Sequence, residues 1–142
     1  MGESGGLTLS KIRVLLADDH REMLGHVSEF LSADGCVVVG TASDGQAAID
    51  AAVKLRPDVV VLDISMPILN GIEAAKHMKE ANPSIKIVFL TVLADTDICR
   101  AALETGALGY VLKSRLETDL IPALKLARVG GRFVSPGCKT PD

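Results

Sequence analysis

The sequence contains few aromatic residues and few cysteines. Aromatic side chains make up 3% of the 142 residues, and tryptophan is absent. The three cysteines, Cys36, Cys99 and Cys138, lie far apart and never form a C-x-x-C pair. This spacing fits neither a disulfide framework nor a zinc site, and it agrees with a reducing compartment.

Long apolar runs and basic clusters are also absent. No stretch approaches the roughly 20 apolar residues of a membrane-spanning helix, and the opening MGESGGLTLSK lacks the basic and apolar regions of a secretion signal. The formal net charge is −3, without the dense lysine and arginine clusters of a nucleic-acid binder. These absences predict a cytoplasmic chain that binds neither a membrane nor, by itself, a nucleic acid.

What the sequence does contain is an alternation of short β-branched runs and longer helical patterns. The runs IRVLLA, VVVGTA, DVVVLD, IKIVFL and GYVL each precede an amphipathic or alanine-rich segment. Strands with nearly continuous apolar runs are buried on both faces, which indicates a parallel sheet covered by helices on both sides. The pattern predicts one doubly wound α/β domain, a flavodoxin-like (βα)5 fold with a five-stranded parallel sheet in the order 2-1-3-4-5.

Capping residues and helix breakers define the ends of the predicted helices. Asp44 is a good N-cap for the second helix, which is expected to bury a stripe that includes Val53 and to stop at Pro57. The fifth helix is expected from about Leu116 to Val129. Pro122 lies within that range, and we expect it in the first turn, where missing backbone donors matter least.

Polar residues with distinct chemistry occur where four of the predicted strands end. Asp18 and Asp19 follow the first strand, Asp63 follows the third, Thr91 ends the fourth and Lys113 follows the fifth. Taken singly, each is most simply a solvated loop residue or a helix cap. Right-handed crossovers, however, bring the carboxyl ends of all the strands to one edge, where open α/β sheets bind ligands.

The predicted crevice would hold three carboxylates at close range. Their mutual repulsion costs about 1 kcal/mol per pair in water and several times more at lower dielectric, so a positive charge is expected among them. Hard oxygen ligands that leave room for water suit Mg²⁺. The sequence therefore predicts a divalent-cation site with a neighbouring hydroxyl and ammonium.

Four motifs resemble those of response-regulator receiver domains of two-component signalling, across residues 11–129. They are ADDH after the first strand, LDISMP after the third, FLTV at the fourth and YVLKS at the fifth. Gly71 and the Met66-Pro67 pair also fit the family pattern. The resemblance implies a switch that accepts a phosphoryl group from a sensor histidine kinase, forms its own aspartyl phosphate and is not otherwise an enzyme.

The resemblance also implies individual roles. Asp63 would be the nucleophile, while Thr91 and Lys113 would hold phosphoryl oxygens. Thr91 and Tyr110 would form the conformational switch. Asp19 would bind Mg²⁺ directly and Asp18 mainly through water, and the Asp63 carboxylate and the backbone carbonyl of Ser65 would be the other Mg²⁺ ligands.

Two positions differ from the commonest family pattern, and the end of the chain resembles one subfamily. Val92 stands where many receivers have a small residue, and Ser114 replaces the proline that often follows the lysine. The motif GGRFVSP resembles the subfamily with a LuxR-type helix-turn-helix output domain. We therefore expect residues 130–142 to be a linker toward a missing DNA-binding domain, and residues 1–10 to be a flexible segment. Phosphorylation is expected to allow the protein to form a homodimer.

Three other functions are alternatives to a phosphorylated receiver. A haloacid-dehalogenase-type phosphatase needs a second aspartate two residues after its nucleophile, where this chain has Ser65. A flavin carrier needs a phosphate-binding loop after the first strand, and the carboxylates of DDHREM would repel a phosphate. A third alternative, a receiver-like interaction module that is not phosphorylated, is left open by the sequence.

His20, His26 and His77 lack metal-ligand spacing and are interpreted as ordinary surface or packing residues.

Overall fold

The computed structural model describes residues 11–138, so the predicted segment 1–10 and the last four residues of the predicted linker lie outside the described residues. The strands are β1 Arg13–Ala17, β2 Val37–Ala42, β3 Val59–Leu62, β4 Ile87–Thr91, β5 Gly109–Leu112 and β6 Phe133–Val134. The helices are α1 Arg21–Ala33, α2 Gly45–Leu55, α3 Gly71–Ala81, α4 Thr96–Glu104 and α5 Leu116–Arg128, with a 3₁₀ turn at Lys113–Arg115. None of these helices has the length and apolarity to span a membrane.

All the described strands are parallel and follow the order β2-β1-β3-β4-β5-β6. The predicted α/β architecture and the order of the first five strands are confirmed, but the predicted number of strands is wrong. The sixth strand is Phe133–Val134, which pairs with Gly109 and Tyr110 of β5. Two residues are too few to show a period-two pattern, so no sequence pattern predicts this strand.

Successive strand residues point to opposite faces of the sheet and form two apolar cores. One core lies beneath α2, α3 and α4 and includes Leu15, Leu62, Phe89 and Tyr110. The other core lies beneath α1 and α5 and contains the strand residues that point to the opposite face, such as Leu16, Val61, Val88 and Val111. Both faces of the central strands are therefore covered, as their apolar runs predict.

Two expectations about the helices are wrong. Val53 of α2 is 64% exposed, because the side of α2 that faces the sheet uses the small residues Ala48 and Ala52. Pro122 lies inside α5, well beyond its first turn. The fully buried Leu120 and Leu124 on either side of this proline hold the helix against the sheet, and their packing offsets the one missing backbone hydrogen bond.

A buried polar cluster fastens the segment after β6 to the domain. The Ser135 hydroxyl donates to Asp119 Oδ2 at 2.7 Å and accepts from the Leu112 amide at 3.1 Å, while Arg115 Nε donates to Asp119 Oδ2 at 2.8 Å. Burial acts to raise the pKa of the Asp119 carboxyl, but the bonds from Arg115 and Ser135 outweigh it and hold that pKa below its ordinary value. The described part of the predicted linker, residues 130–138, thus begins as a packed extension of the sheet.

Asp119→Asn is expected to lower the free energy of unfolding at neutral pH by about 1–3 kcal/mol, because hydrogen bonds to a buried charge are lost. A carboxyl whose folded-state pKa is depressed stabilises the fold fully above its unfolded pKa and ceases to do so as the pH falls through the folded-state pKa. The deficit of the variant should therefore shrink on acidification. Denaturant titrations at neutral and acid pH measure it, with Asp97→Asn as the exposed control. A deficit that is constant with pH would contradict an ionic role for Asp119.

Candidate functional site

The site lies at the carboxyl ends of β1 and β3, which are neighbours in the sheet. Ala17 pairs with Leu62 in parallel register, and the Asp63 amide donates to the Ala17 carbonyl at 2.9 Å. The residues that follow each strand, Asp18 and Asp63, therefore stand side by side. Both are buried, with 5% and 3% of their surface exposed.

Lys113, which follows β5, forms ion pairs with both of these carboxylates. Its Nζ lies 2.7 Å from Asp18 Oδ2 and 3.3 Å from Asp63 Oδ2. The lysine side chain is 8% exposed, so the three charges interact with little screening by solvent. The structure thus brings together residues that are separated by 45 and 50 positions in the sequence (63 − 18 and 113 − 63).

Burial and neighbouring charges shift the pKa values of Asp63 and Lys113. Burial raises the pKa of Asp63; the Lys113 ammonium opposes this rise and the Asp18 charge adds to it. Burial alone would lower the pKa of Lys113, but the hydrogen bond that its ammonium donates to Asp18 and the charges of both carboxylates raise that pKa above its ordinary value. Lys113 therefore stays protonated, and among residues 11–138 it is the only ammonium that pairs with the carboxylates of this crevice.

The loop after β3 orients the Asp63 carboxylate. Oδ1 accepts a hydrogen bond from the Ile64 amide at 2.8 Å, and Oδ2 faces Lys113. Gly71, which opens α3, donates its amide to the Ile64 carbonyl at 2.7 Å. A Cβ at Gly71 would overlap the backbone carbonyl of Asp63, so only glycine lets the helix start this close to the site. Ser65 is exposed in this loop, and its carbonyl remains a predicted ligand.

Asp19 and His20 complete the acidic edge of the site. Carboxylate oxygens of Asp18, Asp19 and Asp63 and a ring nitrogen of His20 all lie within 4.8 Å of one another. Three hard oxygen donors against a single ammonium fit a divalent cation such as Mg²⁺. His20 was not expected here. The Nδ1 atom of His20 lies 3.1 Å from both Asp18 Oδ1 and Asp19 Oδ1. The one feature of the sequence that indicates this location is the position of His20 directly after the acidic pair.

Thr91 and Tyr110 are connected through the backbone of one residue, Leu93. The Thr91 hydroxyl oxygen accepts from the Leu93 amide at 3.2 Å, and the Tyr110 hydroxyl donates to the Leu93 carbonyl at 2.6 Å. Both side chains are fully buried. Burial, together with the charges of Asp63 and Asp95, raises the pKa of Tyr110 to about 12, so its phenol remains a hydrogen-bond donor.

Comparison with known proteins identifies the class to which this site belongs. The sequence pattern of the response regulator receiver domain matches residues 14–125. The chain therefore belongs to the receiver domain family of response regulators, which confirms the resemblance found in the sequence.

Relatives of known sequence and structure support this membership. Response regulator GacA of Pseudomonas viridiflava is 36% identical over 126 residues, which cover 88% of this chain and 59% of GacA. Transcriptional regulatory protein DegU of Brevibacillus brevis is 34% identical over 128 residues, 89% of this chain and 54% of DegU. A LuxR-family two-component response regulator from Aurantimonas sp. SI85-9A1 has 32% identity and a TM-score of 0.83, covering 89% of this chain and 91% of that one. The chain thus spans little more than half the length of the curated relatives GacA and DegU.

Proposed function

We propose that this chain is a cytoplasmic, phosphorylation-dependent signalling switch that accepts a phosphoryl group on Asp63 from a sensor histidine kinase. The observation that carries the proposal is the convergence of Asp18, Asp63 and Lys113 at the ends of β1, β3 and β5. A stable core does not need two buried carboxylates bridged by a buried ammonium. Such a cluster suits phosphoryl transfer.

The proposed reaction uses the groups that this geometry holds in place. A carboxylate oxygen of Asp63 attacks phosphorus and forms a new P–O bond, while the bond to the donor breaks and the leaving group keeps its electron pair. The Lys113 ammonium lies 3.3 Å from Asp63 Oδ2 and would neutralise charge on the incoming phosphoryl oxygens. Thr91 would donate its hydroxyl to one of those oxygens.

Asp18, Asp19, Asp63 and the Ser65 carbonyl are the proposed Mg²⁺ ligands. The ion, when bound, supplies charge neutralisation for the phosphoryl group. Incubation with Mg²⁺ and a small phosphodonor should give one phosphoryl adduct by intact-mass measurement, and chelation of the metal should prevent it. A chain without any adduct under these conditions would instead support the alternative, an interaction module that is not phosphorylated.

The switch is proposed to act through Thr91, Leu93 and Tyr110. When the Thr91 hydroxyl turns toward a phosphoryl group, it loses its bond with the Leu93 amide, and the loop that receives the Tyr110 hydroxyl is released. Phosphorylated Thr91→Ala is therefore expected to lose most of the NMR shift changes around Tyr110, while Thr118→Ala behaves as the wild type. Equal shift changes in Thr91→Ala and the wild type would contradict this coupling.

We further propose that the switch regulates an attached DNA-binding output domain and homodimerises on phosphorylation. DegU is named a transcriptional regulator, and the Aurantimonas relative is of the LuxR family. The net charge of −3 gives residues 1–142 little attraction for DNA phosphates, and α5 is used to cover the sheet. Gel-shift titration of this chain should show no sequence-dependent binding in either phosphorylation state; specific retardation would contradict the separate-output proposal.

A further inference from the structure

The segment Phe133–Cys138, here called the C-terminal strap, lies against the β5 edge and reaches α4. Its first two residues form β6, the Ser135 amide donates to the Tyr110 carbonyl at 2.8 Å, and the Ser135 hydroxyl joins the buried cluster around Asp119. The strap then turns back on itself, with the Cys138 amide donating to the Ser135 carbonyl at 3.1 Å. This path places Cys138 beside α4.

Cys138 forms a disulfide with Cys99 of α4 across 39 positions of sequence. Their Cα atoms are 6.5 Å apart, within the range that a disulfide spans. Both residues are buried in the core that also contains Tyr110. The expectation that the cysteines fit no disulfide is therefore wrong: β6 and the strap create a contact that sequence spacing does not reveal.

The third cysteine lies in a different chemical environment. Cys36 packs in the opposite core, beneath α1 and α5, and its thiol donates to the Ile12 carbonyl at 3.4 Å. Burial, with the charges of Asp34 and Asp58, raises the pKa of Cys36 to about 11. Little thiolate forms on Cys36 at neutral pH, so it competes poorly for exchange with the other two cysteines.

We propose that Cys99 and Cys138 form a reversible redox site that fastens the strap to α4 when oxidised and frees it when reduced. In a reducing compartment a disulfide is usually transient or redox-sensing, and the strap is short enough to open locally and admit a reductant. The regulatory meaning of this site rests on the proposed switch function, since the strap leads toward the proposed output domain.

The redox step needs only a small-molecule disulfide such as oxidised glutathione. The Cys138 thiolate attacks one sulfur of that disulfide and expels one small thiolate, which leaves a mixed disulfide. The Cys99 thiolate then attacks the Cys138 sulfur and expels the second small thiolate. The protein loses two electrons and two protons, and the small disulfide becomes two thiols.

The position of the site determines its effect on the domain. Tyr110 is bound on one side by the strap, through its carbonyl, and on the other by the loop before α4, through its hydroxyl. A covalent bond from strap to α4 closes this arrangement into a ring around Tyr110. Oxidation is therefore expected to restrain α4, β5 and the strap as one unit, and reduction to let the strap and α4 open separately.

Thiol counting and hydrogen–deuterium exchange test the site on the full chain. After treatment with a dithiol, denaturation and alkylation, intact mass should show three labelled thiols; after oxidised glutathione it should show one, mapped to Cys36. Amide exchange in the strap and α4 should be about tenfold faster in the reduced protein. Cys36→Ser should show the same redox-dependent exchange, whereas Cys138→Ser should exchange quickly under both conditions.

Three results would overturn the proposal. They are three labelled thiols after oxidised glutathione, a bridge that the dithiol does not reduce in the folded protein, and equal exchange rates in the two redox states. Because Cys99 is completely buried within α4 whereas Cys138 lies at the end of the strap, Cys138→Ser is the primary variant, and Cys99→Ala repeats the test only if it folds. The phosphoryl adduct is measured in the same samples: its absence beside a reversible bridge contradicts the proposed phosphorylation and not the redox chemistry.

Discussion

Asp63→Asn is expected to abolish the phosphoryl adduct that Mg²⁺ and a small phosphodonor give with the wild type. The amide that replaces the carboxylate is a very weak nucleophile, and among residues 11–138 no second carboxylate has the same placement by the β3–α3 loop. Asp18 is held by Lys113 at 2.7 Å, and Asp19 lies at the outer rim with its side chain 34% exposed. Intact-mass measurement of both proteins gives the result directly.

Asp63→Asn is expected to keep the stability of the wild-type fold. Burial raises the pKa of Asp63, so the folded state disfavours the ionised carboxylate, and replacing it at neutral pH is not expected to destabilise the protein. Lys113 retains its partner Asp18. Asp50→Asn, which changes an exposed carboxylate on α2, should be labelled like the wild type. Labelling of Asp63→Asn to the wild-type level would show that another residue accepts the phosphoryl group.

Asp19→Ala is expected to abolish Mg²⁺ binding measured by calorimetry while leaving the fold intact. Mg²⁺ gives up its water reluctantly and is held by few protein ligands in such sites, so the loss of one carboxylate has a large effect. Asp19 is the most exposed of the three carboxylates, and its removal leaves the buried pair of Asp18 and Lys113 undisturbed.

The matched control for this prediction is Asp97→Ala. That change removes the same charge from α4, where the side chain is 87% exposed, and should leave Mg²⁺ affinity unchanged. A wild-type affinity in Asp19→Ala would place the metal site elsewhere. Equal losses in both variants would mean that net charge, and not a defined ligand set, governs binding.

The main part of the site could be predicted because it depends on topology. Asp18, Asp63, Thr91 and Lys113 each follow or end a strand with a continuous apolar run, and the right-handed crossover rule places those ends together. The distances within the site could not be predicted. That Lys113 lies closer to Asp18 than to Asp63 depends on side-chain packing, which no sequence pattern encodes.

The failures share a physical cause, which is that the deciding contacts are non-local. Cys138 meets Cys99 only because a two-residue strand carries the chain across the sheet edge. Pro122 is tolerated in the interior of α5 because tertiary packing outweighs local helix propensity. Val53 is exposed because α2 approaches the sheet through alanines, so that the larger apolar residue beside them remains at the surface.

The sixth strand also affects how this protein can associate with others. An uncovered outer strand offers unpaired backbone groups to any extended peptide, and proteins commonly protect such edges. Here the outward backbone groups of β5 are already used, since Leu108 and Tyr110 accept from Phe133 and Ser135, and Leu112 donates to the Ser135 hydroxyl. The edge on this side is now β6, whose two residues are too short to pair with a long peptide strand, and the longer edge open to strand addition is β2 on the opposite side.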